Sequence, residues 1–214
     1  MTEFDRRSGL LGCISALSFS IGRPGALFAA SGASYVGNVV AEWLDGGRKM
    51  RLREPFEFRS AQGRRWPVPS GAVVDGASIP QIFWSLIGGP FEGVYRNASV
   101  IHDRYCDTRV RKAEDVHQMF YDAMLTSGVG RRRAWIMYQA VAQFGPQWAD
   151  PKIDPKCEIV DENYDFTLCA RNAQKPAVNT PDIGKDKLSI FLDNVQSQSD
   201  PQDVALLRKK VEQL

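Results

Sequence analysis

The chain has 214 residues, enough for one substantial domain with appendages. With 43% hydrophobic and 24% charged residues, its composition is that of an ordinary globular protein and selects no class by bias. A net charge of +2 argues against nucleic-acid binding, which needs a concentrated basic surface that a run such as Arg131, Arg132 and Arg133 is too short to supply.

Residues 1–36 read as an N-terminal tail or an export signal. Arg6 and Arg7 precede the weakly apolar LLGCISALSFSIG, and small residues gather near Ala33, the plan of a twin-arginine leader, although Arg23 and Pro24 interrupt it. The reading leans to an exported chain, periplasmic or secreted, with a cytoplasmic or virion-associated one as the alternative. No run of about 18 uninterrupted apolar residues exists, so a transmembrane anchor is not expected. Cys13, Cys106, Cys157 and Cys169 show no CxxC spacing, which argues against a structural zinc site. In an exported chain Cys157 and Cys169 are placed to close a small loop.

Residues 37–148 form the expected domain, of α+β class. From 39 to 68 the text reads as a small antiparallel β-meander: VVAEWL, a turn at Asp45-Gly46-Gly47, RKMRLREPFEF, a turn near Gly63, then RRWPV. Pro67, Pro69 and Pro80 punctuate a loop-rich passage through DGASIP. The following run IPQIFWSLIGGPF suits either a core cover or a lipid-facing surface. A three-helix core is then predicted over about 96–106, 113–126 and 131–144. Ala98, Ile101, His102 and Tyr105 mark the inner face of the first helix, and Val116, Met119, Phe120 and Ala123 that of the second. Trp135, Tyr138, Val141 and Ala142 mark the third. Short connections imply an antiparallel hairpin. Residues 149–214 read as a polar extension, proline-punctuated at first and ending in two short amphipathic helices, LSIFLDNV and DVALLRKKVEQL. These either pack back on the domain or bind a protein partner.

The chemistry-bearing residues cluster on the first two helices and the turn before them. His102 is one of two histidines, and imidazole is the side chain whose ordinary pKa best suits a general base near neutrality. Asp103 follows it and projects about 100° away around the helix, free to hold a cation without competing with the base. Asp115, near the start of the antiparallel helix, is placed to accept the imidazole N–H and fix its tautomer. Asp75 and the Gly76 carbonyl sit in a turn that can approach Asp103, and an oxygen-only ligand set suits a hard cation such as Ca2+. His117, two positions from Asp115, is expected on another helix face, toward solvent. An HD-type metal phosphohydrolase would need a histidine upstream of the pair, and the chain has none.

The order DGASIP, GGPF, IHDRYCD, AEDVHQMFYDAM, AWIMYQAVAQFG resembles the secreted bacterial and fungal type of phospholipase A2, and also the phage and bacterial domain family DUF1353. The likeness covers about residues 74–145, a third of the chain. It implies a phospholipase A2-like helix hairpin in which His102 activates water and Asp115 orients it. It further implies that Asp75, the Gly76 carbonyl and Asp103 bind Ca2+, which polarises the ester carbonyl of a phospholipid at a membrane surface. The phospholipases staple this loop to the helix with a disulfide, where the corresponding positions here are Ala77 and Ser99.

The function expected from this resemblance is therefore a calcium-dependent lipid esterase. Two alternatives stand beside it: a non-catalytic phage-structural or interaction module that keeps the hairpin as scaffold, and a hydrolase of another cell-envelope ester or amide.

Overall fold

The computed structural model describes residues 32–44, 49–76, 78–84, 89, 91–150 and 183–213. The leader reading through residue 31, Cys13, the Asp45-Gly46-Gly47 turn, Ala77, residues 85–88 of the apolar run, the Cys157 and Cys169 pair and most of the polar linker lie outside the described residues.

The fold is α+β. Its described strands are β1 (Ser34–Val36), β2 (Ala41–Trp43), β3 (Met50–Leu52), β4 (Phe56–Arg59), β5 (Arg65–Val68) and β6 (Val73–Val74). They form two small antiparallel sheets, ordered β1-β4-β5 and β2-β3-β6, rather than the single meander the sequence suggests. The run RKMRLREPFEF divides at Pro55, whose ring fixes φ and removes a donor, so β3 and β4 enter different sheets. Strand β1 lies in the segment expected to be tail, and β6 in the passage expected to be loop.

Alternation sets each strand's inner face. Met50 and Leu52 are buried while Arg51 is exposed, and Trp66 and Val68 are buried beside exposed Arg65. Pro67 is tolerated because β5 is a sheet edge, where a missing N–H breaks no ladder. Glu57 is also buried on β4, its carboxylate held by Arg59 and by Nε and Nη2 of Arg65. The Arg65 hydrogen bond, more than that of Arg59, keeps its pKa below the usual carboxylate range against the opposing effect of burial.

A 3-10 turn (Gln81–Phe83) leads to α1 (Arg96–Thr108), α2 (Ala113–Thr126) and α3 (Arg131–Phe144). Helix α1 runs two residues past its expected end and stops where Arg109 adopts the left-handed region at φ 54°. Its N–H still reaches the Tyr105 carbonyl at 2.9 Å. Helices α1 and α2 form a hairpin, and the anticipated inner faces of both are buried.

Helix α3 is turned from the expected face. Ala134, Met137, Ala140 and Val141 are buried, whereas Trp135 and Tyr138 are half-buried and cluster with Tyr121 at 6.2 and 5.7 Å. Small alanines permit close helix approach, and rings with a polar edge take the boundary.

The apolar run is core where it is described: Ile79, Phe83 and Phe91 are buried, and the Trp84 indole donates to the Ile79 carbonyl at 3.1 Å. Helices α4 (Lys185–Val195) and α5 (Pro201–Glu212) pack back on this core. Phe191 meets Phe83 at 5.5 Å and Phe144 at 5.3 Å, while Arg133 forms a two-pronged pair with buried Asp203 at 2.7 and 2.9 Å. Asp200 caps α5 by accepting the Gln202 N–H, with Pro201 at the first helical position. No helix among the described residues is long and apolar enough to cross a membrane.

If α4 and α5 belong to one cooperative unit, Phe191→Ala lowers stability by about 3–5 kcal/mol in urea unfolding followed by circular dichroism. An unchanged midpoint would show that these helices do not contribute to the main transition.

Candidate functional site

The segment HDRYC places His102 and Cys106 one turn apart on the same face of α1, and Asp103 on a different one. Asp103 is 1% exposed and faces the turn after β6. Its Oδ2 accepts the consecutive N–H groups of Asp75 at 2.7 Å and Gly76 at 3.0 Å, and its Oδ1 accepts the Ser78 hydroxyl at 2.7 Å. Gly76 adopts φ 68°, a conformation glycine takes without strain, and successive N–H groups in such a turn form an anion cradle. Here the anion is the protein's own carboxylate.

His102 is 0% exposed. Its Nε2 lies 2.9 Å from Nδ1 of His117, its ring is 4.5 Å from that of Phe120, and Cys106 Sγ stands 3.6 Å from Nε2. His117 is 2% exposed, and its Nε2 is 3.2 Å from the Pro146 carbonyl. A carbonyl only accepts, so this nitrogen carries the hydrogen and the neutral ring turns an unprotonated Nδ1 toward His102. The Gln147 amide nitrogen, also near His117, directs a hydrogen to the Ala142 carbonyl at 2.8 Å.

Burial pushes His102 well below the ordinary histidine range, with His117 adding to the effect. Burial takes His117 down to about 4, opposed by its bond to Pro146. The Cys106 thiol is pushed well above its usual range by burial, against the opposing hydrogen bond of Ser78. The cluster is therefore uncharged at neutral pH.

The structure thus unites some of the anticipated residues and separates others. Asp75, Gly76 and Asp103 come together, but through N–H donors that already occupy the Asp103 carboxylate. His102 and Asp115 are not paired. Asp115 has a 38% exposed side chain and meets Arg64 at 3.3 Å. Contrary to expectation, His117 points inward and takes the place beside His102. The signal for it was in the sequence: Ala113, His117, Phe120 and Met124 recur at four-three-four spacing and are all buried. Cys106 was likewise missed, because its histidine partners are a helical turn and a neighbouring helix away rather than in a CxxC. Ser99, which the resemblance sets in place of a disulfide partner, is buried on α1. A surface groove bordered by Val36, Phe56, Arg59, Pro67 and Val68 opens on the first sheet, and His102 does not line it.

Asp103→Asn replaces one acceptor oxygen with a donor facing donors, and is expected to cost about 3 kcal/mol in chemical denaturation. Ser78→Ala is expected to cost less. For His117 the folded value near 4 lies below the ordinary 6.5, so between them the unfolded chain binds more protons and stability falls as pH drops. The loss from this group is about 2 kcal/mol between pH 6.5 and about pH 5, and the slope shrinks in His117→Asn, measured in chelating buffer.

The chain is similar to two proteins of Sinorhizobium fredii. With uncharacterized protein y4jT it shares 56% identity over 97 residues, covering 45% of this chain and 29% of that one. With uncharacterized protein y4iH it shares 39% over 106 residues, covering 50% of this chain and 44% of that one. The chain thus spans less than half the length of these curated relatives. No solved structure matches it. Residues 50–141, which run from β3 into α3 and hold every residue of the cluster and the carboxylate cradle, match the family model described as protein of unknown function, DUF1353.

Proposed function

We propose that this domain acts as a non-catalytic structural or interaction module, in which the His-Asp pair of α1 is an internal fastening. The observation that carries this reading is the sealing of His102. A general base must reach water and substrate, yet this ring is 0% exposed, covered by Phe120 and bonded to a second histidine. Asp115, the orienting carboxylate of the esterase reading, is engaged by Arg64 instead.

One observation favours the calcium-dependent lipid esterase as a second reading: the turn of Asp75 and Gly76 docks on Asp103, the three positions that would share Ca2+. Catalysis on this plan requires the turn to release the carboxylate and α2 to uncover His102.

Acyl release from phosphatidylglycerol and phosphatidylcholine vesicles, with millimolar calcium and with a chelator, separates the two. The module reading expects the same background hydrolysis in both conditions and in Asp75→Asn. Calcium-stimulated release that the chelator removes and Asp75→Asn lacks would overturn it in favour of the esterase.

A further inference from the structure

Three donors suited to a transition metal meet between α1 and α2. The nitrogens of His102 and His117 and the sulfur of Cys106 all lie within 4.8 Å of one another, and each of the three residues is buried. This nitrogen and sulfur set is distinct from the oxygen set considered for calcium, and it matches the preference of borderline-soft transition metals.

We propose that His102, Cys106 and His117 bind a single zinc-like transition metal ion. Zinc bonded to nitrogen at about 2.0 Å and to sulfur at about 2.3 Å in tetrahedral geometry separates two nitrogens by about 3.3 Å and nitrogen from sulfur by about 3.5 Å. The His102 to Cys106 separation is already 3.6 Å. The two imidazole nitrogens, at 2.9 Å, need to part by a few tenths of an ångström, and the His117 nitrogen, within 4.8 Å of the sulfur, needs to approach it.

The surroundings support the assignment independently of these distances. The Pro146 carbonyl holds the hydrogen of His117 on Nε2, leaving Nδ1 as donor. Metal-bound histidines characteristically have such an outer partner. Ser78, whose hydroxyl donates to Asp103, belongs to the carboxylate cradle beside the cluster. On binding, the Cys106 S–H bond breaks and its proton leaves to solvent. His102 moves its hydrogen from Nε2 to Nδ1, so each ion taken up releases one proton. The inference stands on the geometry of the cluster and does not depend on the module reading.

The test uses the full chain, stripped with chelator and titrated with Zn2+ and separately with Co2+. Expected are one tightly held zinc per chain, release of one proton, and a raised thermal midpoint. The cobalt form should show a sulfur-to-metal charge-transfer band with the visible spectrum of a tetrahedral ion. Cys106→Ser should abolish that band and weaken zinc at least about tenfold, as should His117→Gln, which removes a primary donor. Absence of zinc uptake by the unaltered chain overturns the proposal, and so does a cobalt spectrum unchanged in Cys106→Ser, which would place the metal on another cysteine. If both variants fail to fold, a chain with Cys13, Cys157 and Cys169 all replaced by serine decides: it keeps the charge-transfer band if Cys106 holds the metal, and loss of the band overturns the proposal.

Discussion

A single buried carboxylate organises this domain. Removing Asp103 from water is costly unless its charge is answered, and donors from one short turn answer it, among them two main-chain N–H groups and a hydroxyl. That interaction fastens the first helix of the hairpin to the end of the second sheet. It also sets the helix's rotation. With Asp103 committed to the turn, the residue before it faces the neighbouring helix, and the residue one turn after His102 faces the same way. The composition of the layer between α1 and α2 follows from that constraint.

That layer holds a polar cluster among apolar side chains, and it is closed. Two imidazoles and a thiol sit under an aromatic ring with hardly any contact with water, and their charge states reflect burial above all. A polar group inside a fold is tolerated when its hydrogen-bonding capacity is met. His102 meets it with His117, and His117 meets it again with the Pro146 carbonyl beyond the end of α3. The chain of contacts therefore runs from α1 through α2 to the segment that follows α3. About 100° around α1 from His102, the oxygens and N–H groups of the cradle form a second network.

How much of this was legible in the sequence depended on how local the deciding interaction was. Helices α1, α2 and α3 announce themselves through apolar period, and their extents are close to those expected because caps and short connections are local. The strands were partly misread, because which sheet a strand joins depends on partners far along the chain. Pro55 is visible in the text, whereas the pairing of Ser34 with Arg59 is not. Within the candidate site, the approach of the DGAS turn to Asp103 followed from order and spacing. The role of Asp115 did not, because an acid in the first turn of a helix is equally suited to the helix dipole, and here it faces Arg64. His117 was misjudged by placing it relative to Asp115, when the buried stripe of its own helix contains it. Trp135 and Tyr138 show the same limit: ring size suggested the core, but alanines took the tightest contacts.

The cradle also has a consequence for how the chain is made. Asp75 leaves the ribosome 28 residues ahead of Asp103, so its turn meets water before it meets the carboxylate that holds it. Tyr35 waits longer, since its hydroxyl bonds the Ala123 carbonyl 88 residues on. Strand β1 is thus sealed by the second helix of the hairpin, and until that helix emerges the nascent sheets lack this contact. Translation pausing between these two points would hold the chain with its strands formed and its fastening still unmade.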